Sequence, residues 1–472
     1  MAVRASFGRR VSVLASGTLV SQALLVCSAP LLTRLFTPEE VGVLAVYASL
    51  LRLSTVAGAL RFDTAIPLAE DDREAGALVV LSVGAVILNT ALLGLGVIFA
   101  NGKLGMVLGA PLLDPYLWIL PLGAALIGLH QVVIHWGLRH EALAKIAGAR
   151  MLQAVLMVAV QTAGHPFGVL ALLVGHTAGQ ALGGVSLLKT LWTSLRRVGV
   201  PSLLNIRRTA HHYRRFPTYS TASTLINNAG TQIPALVFSS VFGSVAAGQF
   251  ALAQRVLSTP VAVLGAATAQ VFLSDVALAL REQRGAKLVA GVFHTLAQIG
   301  MLPSLVIGLY GPHLFAFVFG EEWAEAGSYA RLMVPWLYMV FVTSPLIAFC
   351  DASGAQRVYT LYNVALFVSR LVALCAGFLL GSLLAAVALF SAASALSWLG
   401  LLLWITKRSG NQLRLVPRSM GIALSAGAAC VAPFAVAVRG DEIIDLLFAS
   451  LFSAATAIAW AWAAWPAASA RT

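Results

Sequence analysis

The sequence predicts an all-α polytopic membrane protein with about 14 transmembrane helices. Hydrophobic residues make up 59% of its 472 residues and charged residues only 10%, and the mean hydropathy is +0.87. A soluble domain of this length needs more charge to cover its surface. Apolar stretches of about 20 residues, the length that crosses a bilayer, recur along the whole chain. By hydropathy the spans lie near 11–33, 41–60, 75–100, 116–138, 142–163, 167–192, 217–241, 247–273, 287–310, 327–350, 358–380, 383–406, 420–438 and 443–465.

The first predicted span follows Arg4, Arg9 and Arg10, an arrangement that resembles the start of a signal peptide. Its apolar run from Val11 to Leu32 is too long for a signal sequence, so we expect an uncleaved span. Placing the N-terminus inside puts about two dozen Lys and Arg in cytoplasmic loops and about four outside. Because cytoplasmic loops carry this excess, we expect both termini in the cytoplasm.

The predicted spans form two similar halves. In the first half, Gly42 opens an apolar helix that carries Arg52, and in the second half Gly248 opens one that carries Arg255. Each half has six predicted spans, and an even number of spans returns the chain to the side on which it began. Both halves therefore start in the cytoplasm, and they are predicted to be parallel pseudo-repeats. The expected organisation is an N-lobe, a basic cytoplasmic linker, a C-lobe and two extra C-terminal spans, at 1–194, 195–216, 217–406 and 407–472.

Four charged residues lie at predicted cytoplasmic boundaries. Arg61 and Asp63 follow the second span, and Arg214 and Arg215 end the basic linker. We expect them at the membrane interface or in gating. The linker also contains leucines and aromatic residues, a mixture that lies against anionic headgroups in interfacial segments. A linker that only sets the topology is the alternative.

The sequence contains no motif that indicates catalysis. It has no Gly-rich loop followed by Lys-Ser/Thr, no paired His/Glu metal motif and no nucleophile in a recognised frame. The Lys and Arg lie in short loops, as the positive-inside rule requires, and do not form a nucleic-acid-binding patch. We therefore expect no enzyme activity, cofactor, metal or nucleic-acid partner. The isolated cysteines, which fit neither a disulfide framework nor a zinc site, are Cys27, Cys350, Cys375 and Cys430.

Three arginines, Arg52, Arg255 and Arg370, fall deep within predicted spans. An arginine near the bilayer centre costs roughly 2.5–3.5 kcal/mol, so each needs water or a partner. No Asp or Glu is expected at comparable depth, and this surplus of positive charge indicates a cavity site for an anionic group such as pyrophosphate. The adjacent amides Asn227 and Asn228 are candidates for the same site. The alternatives are arginines that snorkel to the interface and amides that link packed helices.

Four stretches resemble motifs of one membrane protein family. They are LTRLFTPEEVG at 32–42, RFDTAI at 61–66, YRRFP at 213–217 and AQRVL at 253–257. In this order and spacing they resemble bacterial polysaccharide or O-antigen repeat-unit flippases of the Wzx type. That family belongs to the multidrug/oligosaccharidyl-lipid/polysaccharide flippase superfamily.

The resemblance implies two six-helix lobes around a central cavity that work by alternating access. The implied substrate is an undecaprenyl-pyrophosphate-linked oligosaccharide. It is moved from the cytoplasmic to the periplasmic leaflet of the bacterial inner membrane, for lipopolysaccharide or exopolysaccharide biosynthesis. The expected partners are the lipid-linked oligosaccharide, the anionic lipids that the basic linker indicates, and the polysaccharide polymerase and chain-length machinery.

Three alternatives remain open at this point, and one of them, a scaffold for other envelope enzymes, would not require buried arginines. A multidrug exporter of the same fold needs buried carboxylates to take organic cations, and none is expected at depth. A membrane glycan polymerase or ligase needs a large catalytic loop outside, whereas the longest external loop is expected at about 311–329.

Overall fold

The computed structural model describes residues 17–199 and 201–437. Within these ranges the chain consists of α-helices joined by short 3-10 and π-helical turns and loops, and it has no strand. The helices of ten or more residues are α1 Gly17–Leu35, α2 Pro38–Gly58, α3 Asp72–Phe99, α4 Ile119–Arg139, α5 Leu143–Ala163, α6 Val169–Leu182, α7 Val185–Val198, α8 Leu203–His212, α9 Thr221–Arg281, α10 Gly285–Phe319, α11 Ala324–Thr343, α12 Gln356–Leu379, α13 Leu383–Arg408 and α14 Leu415–Ala437.

Eleven helical segments of the described ranges are long and apolar enough to cross a membrane. The outward sides of these segments are apolar, as contact with hydrocarbon requires. In α3, for example, Ile87, Leu88, Leu92 and Ile98 are all exposed. The chain is therefore a multi-pass membrane protein. The predicted number of 14 spans stays a prediction, because the last span, near 443–465, lies outside the described residues.

The chain divides into two compact units, residues 1–252 and 253–472. The first unit contains α1 to α8 and the first half of α9, and large fully buried side chains of this unit include Tyr47 and Trp136. The second contains the rest of α9 and the later helices, packed around aromatic residues such as Phe272 and Phe293. The observed division falls inside α9, whereas the sequence places the lobe boundary in the linker at 195–216. The expected lobe organisation stays a prediction.

Local capping explains why α2 and α3 begin where they do. At the start of α2, the Thr37 hydroxyl accepts from the Glu40 backbone N–H at 3.3 Å. The Glu40 carboxylate in turn accepts from the Thr37 backbone N–H at 2.9 Å. This reciprocal pair is a capping box, and Pro38 fits the first helical turn that follows it. At the start of α3, the Asp71 carboxylate accepts from the Glu74 N–H at 2.7 Å.

One predicted break agrees with the structure, and one predicted loop differs from it. The predicted spans 217–241 and 247–273 correspond to two helical segments that run together as α9 and meet at Gly243, whose non-helical φ of 88° is accessible mainly to glycine. The predicted external loop at 311–329 is mostly helical, because α10 continues to Phe319 and α11 begins at Ala324. Hydropathy detects apolar length, and it misses the continuation of α10 into the segment predicted to be a loop.

The predicted span 167–192 is also divided, into α6 and α7. The division occurs at Gly183 and Gly184, where neighbouring helices approach closely. A Cβ on Gly183 would lie 2.6 Å from the Ala149 carbonyl oxygen, and one on Gly184 would lie 2.6 Å from the His130 ring. These contacts explain why two glycines stand at the junction.

Candidate functional site

Arg52 contacts Asn228 across two helices of the first unit. Arg52 lies on α2, about 21 Å from the start of the helix and about 9 Å from its end. Its guanidinium Nε donates to the Asn228 Oδ1 at 3.4 Å, and the Asn228 amide donates to the Thr224 carbonyl at 2.9 Å. The Arg52 side chain is exposed, and its hydrogen-bond partner is a neutral amide. The other N–H groups of the guanidinium are therefore available to a ligand.

Other polar side chains follow the same helix. Asn89 of α3 donates to the Ser54 hydroxyl at 3.3 Å, and the Tyr47 hydroxyl lies 2.5 Å from the Thr177 hydroxyl. Because hydrogen bonds between helices hold a membrane bundle together, these pairs fix α2 against α3 and α6. They therefore hold the helix that carries Arg52.

α2 and α9 approach most closely at two glycines. A Cβ on Gly42 would lie 1.7 Å from the carbonyl oxygen of Ser244, and one on Gly248 would lie 1.9 Å from that of Pro38. Each of these Cβ positions also lies within 3.0 Å of the other glycine's backbone nitrogen. Gly42 and Gly248 are the glycines that the sequence places at equivalent positions of the two halves. Backbone meets backbone here, at the end of α2 that is predicted to be external.

Arg61 and Asp63 lie in a tight turn after α2. Arg61 adopts a left-handed conformation with φ of 60°, which starts a short helix at Phe62–Ala65. Asp63 is 5% exposed, and its Oδ2 lies 3.3 Å from Nδ1 of His135 on α4. The same Nδ1 lies 2.9 Å from the Gln131 carbonyl oxygen. Both neighbours are acceptors, so His135 Nδ1 carries a proton and donates it.

An ion pair between Arg139 and Asp72 supports this turn. Arg139, at the end of α4, donates to the Ala69 carbonyl at 2.6 Å and pairs with Asp72 at 3.0 Å. The turn between α2 and α3 is thereby tied to α4 at both ends. The sequence does not single out Arg139 or Asp72, because the contact joins positions 67 residues apart.

The end of the basic linker has one buried and two exposed side chains. Arg214 and Arg215 are exposed, whereas Tyr213 is buried against the cluster that contains Ile66 and Trp136. Burial, and then the negative charge of the nearby Glu74, raises the pKa of the Tyr213 hydroxyl above its usual value. The phenol is therefore neutral at physiological pH and anchors the segment that precedes α9.

In the second unit, Arg370 of α12 lies between aromatic rings. Its guanidinium carbon is 5.0 Å from the Trp336 ring centroid and 5.2 Å from that of Phe390, and its Nε donates to the Ser394 hydroxyl at 2.9 Å. At 8% exposure it is one of the most buried charged residues of the described ranges. Stacking on aromatic faces and a hydroxyl acceptor stabilise a guanidinium away from water.

Arg255 lies in the second unit on α9 and is half-buried. Directly after it, five residues of α9 between Val256 and Leu264 line an apolar cavity of ≈ 160 Å³ together with α10 and α11. Ser304 and Tyr338 are the hydroxyl-bearing residues of this lining. The structure thus brings Arg52 and Asn228 together in the first unit and places Arg255 and Arg370 in the second. The Asn227 side chain lies outside the described part of the chain.

The fold is similar to that of several solved membrane transporters. The structure described as "Lipid II flippase MurJ, inward closed conformation" matches with a TM-score of 0.75 and 10% identity, over 95% of this chain and 97% of that chain. An inward-facing multidrug resistance MATE family transporter matches with a TM-score of 0.56 and 16% identity, over 84% and 93%. A MOP superfamily transporter from Pyrococcus furiosus matches with a TM-score of 0.55 and 14% identity, over 85% and 95%.

The sequence defines the family more closely than the fold does. The profile of the family described as "Polysaccharide biosynthesis protein" matches residues 31–328, which is more than half of the chain. The chain therefore belongs to the polysaccharide biosynthesis protein family. A comparison with curated protein sequences gives no match.

Proposed function

We propose that this chain is a flippase for undecaprenyl-pyrophosphate-linked oligosaccharide repeat units. It moves them from the cytoplasmic to the periplasmic leaflet of the bacterial inner membrane, for the biosynthesis of a surface polysaccharide. The protein acts as a transporter and not as an enzyme. Family membership supports the polysaccharide pathway, and the MOP transporter fold supports movement across the membrane.

The observation that carries the proposal is the exposed Arg52 guanidinium inside a membrane helix, held by the neutral Asn228 amide. A charged side chain at this depth costs roughly 2.5–3.5 kcal/mol unless water or an anion receives it. Asn228 orients the guanidinium through Nε without neutralising it, so the remaining N–H donors are available to an anion. A pyrophosphate offers several charged acceptor oxygens, which the planar guanidinium of an arginine can bind in a bidentate manner.

The remaining predicted residues take different parts in this proposal. Arg255 acts as a second cation for the head group, and Asn227 and Asn228 bind sugar hydroxyls or phosphate. Arg370 contributes positive charge while it is stacked between Trp336 and Phe390. It binds the head group directly only in a conformation in which α12 separates from α11 and α13. Arg61, Asp63, Arg214 and Arg215 act at the cytoplasmic side, where the head group enters.

Transport by alternating access requires the contact at Gly42 and Gly248 to open. In the present structure α2 and α9 meet there backbone to backbone, so nothing the size of a sugar passes between them at that end. In the proposed cycle, these helices separate at the glycines to release the head group to the periplasm. The polyprenyl tail stays in the lipid, which avoids moving it through a polar path.

Replacement of Arg52 tests the proposal. We expect Arg52→Ala to abolish surface polysaccharide in a deletion host, Arg52→Lys to restore part of it, and Arg34→Ala to have no effect. Arg34 is an exposed arginine at the end of α1 and is the matched control for loss of one charge. Membrane abundance of each variant is measured by immunoblot. Wild-type polysaccharide levels with an abundant Arg52→Ala variant would contradict the role of Arg52.

A further inference from the structure

Residues 185–216 form a basic segment made of α7, α8 and the turn after α8. No Asp or Glu occurs in this stretch. Its seven Lys and Arg are Lys189, Arg196, Arg197, Arg207, Arg208, Arg214 and Arg215. Such a concentration of one charge makes the segment attractive to a surface of opposite charge.

The two faces of α8 differ. One face holds the buried Thr209, and Tyr213 directly after the helix is buried in the same cluster as Ile66. The other face exposes Leu203 and Leu204, at 86% and 57%, followed by arginines 207 and 208. The buried face fixes α8 to the protein beside the first turns of α3. Exposed leucines next to arginines are the composition of a helix that lies in a membrane interface.

α7 carries a similar mixture of apolar and cationic side chains. The candidate span Val169–Thr193 ends one residue after Trp192, which is 59% exposed. The Arg196 guanidinium lies 4.8 Å from the centroid of the Trp192 ring. Tryptophan is enriched at the headgroup level of membranes, and an arginine one turn beyond it reaches the phosphates. α7 and α8 therefore each present exposed apolar side chains next to cationic ones.

We propose that α7 and α8 form a docking surface for anionic phospholipid headgroups of the leaflet that this basic side faces. Leu203, Leu204 and Trp192 enter the boundary of the acyl chains, and Arg196, with the two arginines of α8, binds the phosphates. Each basic residue near an anionic surface strengthens binding about fivefold. The surface is independent of the transported substrate, because none of these side chains belongs to the site around Arg52.

This docking surface has a consequence for α9. A π-helical turn at Phe216–Ser220 joins the anchored Tyr213 to the start of α9, and Asn228 lies two helical turns further on. π-helical turns often occur at functional positions in helices. Lipid bound at the docking surface would therefore restrain the segment that precedes α9.

The test uses the full chain in nanodiscs, with the four native cysteines replaced by serine and Leu203→Cys labelled with bimane. We expect acrylamide to quench the label less in phosphatidylcholine discs that contain about one quarter phosphatidylglycerol than in pure phosphatidylcholine discs. In a titration of phosphatidylglycerol, Arg207→Gln with Arg208→Gln should weaken this protection about 25-fold, two steps of about fivefold.

The matched control is Arg281→Gln with Lys287→Gln, which removes two exposed positive charges at the adjoining ends of α9 and α10. It should keep the protection. Equal quenching in the two kinds of disc overturns the proposal, and so does equal weakening by the control pair. Protection that is already complete in pure phosphatidylcholine overturns it as well, because a neutral membrane then suffices. Elution of each labelled variant as one species by size exclusion, checked first, ensures that a folded protein is compared.

Discussion

Adding one methyl group at Gly42 should force α2 and α9 apart. A Cβ there would lie 1.7 Å from the Ser244 carbonyl oxygen, whereas carbon and oxygen in close contact lie about 3.3 Å apart. The two backbones must therefore separate by about 1.6 Å, and no side chain can move aside instead. Overpacking of this kind costs about 1–3 kcal/mol, which disfavours the closed contact about 5- to 150-fold. Gly248→Ala should act in the same way, because its Cβ meets the Pro38 carbonyl.

The assay is labelling of a buried cysteine directly beside the contact. Ala247 is fully buried in the first unit, so Ala247→Cys in a background without other cysteines should react slowly with an impermeant maleimide added outside. Gly42→Ala should raise its labelling rate at least fivefold, in proportion to the population with separated helices. Gly84→Ala on α3 is the control, because no heavy atom lies within 4 Å of its added Cβ. Equal rates for Gly42→Ala and Gly84→Ala would refute the idea that this contact closes the external side.

Three further outcomes follow from the same structure. Asp63→Ala and His135→Ala should each lower stability by about 3 kcal/mol, while the double variant costs less than their sum; a thermal-unfolding double-mutant cycle with no coupling contradicts the buried pair. Arg370→Ala should lower the free energy of unfolding by about 2–4 kcal/mol. Arg370→Lys should lose most of the same amount, because lysine lacks the planar group that stacks on Trp336, and a lysine variant as stable as the wild type contradicts this role of stacking. The pKa of Tyr213 is raised in the folded state, so the stabilisation from its buried phenol is present below about pH 10 and is lost as the pH rises further. Tyr213→Phe should therefore reduce the loss of stability at alkaline pH. An unchanged pH profile of stability contradicts this prediction.

Hydropathy and charge predict most of the helical elements of this chain. The predicted spans near 75–100, 142–163 and 383–406 agree with α3, α5 and α13 within a few residues, because each is one apolar run between polar ends. Hydropathy and charge do not predict α8. It is too short and too basic for a span, and its helical form depends on a Ser202 cap and on burial of Tyr213.

The candidate site is predictable in its residues and not in its contacts. The sequence selects Arg52 and Asn228 separately, as polar groups in apolar segments, but their contact joins positions 176 residues apart. Trp336 and Phe390, which stack on Arg370, look like ordinary apolar residues of their spans. Only tertiary packing shows that they form the surroundings of a charge.

The structure gives a physical reason for one part of the predicted repeat, the two equivalent glycines. Gly42 and Gly248 each stand at the head of a helix and each precede an arginine by several residues. In the structure the two glycines pack against each other's backbone, so both positions exclude a side chain for the same reason. The equivalence of the two halves beyond these positions stays a prediction.

The most direct test of the proposed function is the sidedness of lipid-linked oligosaccharide in a host that lacks the gene. Spheroplasts are treated with a membrane-impermeant glycosidase, and the undecaprenyl-linked repeat units are extracted and quantified. The proposal predicts that completed units accumulate in a protected form, and that wild-type protein, but not Arg52→Ala, makes them accessible again. Units that are fully accessible outside in the absence of the protein, while the polymer is missing, would instead assign it to a later step and contradict flipping.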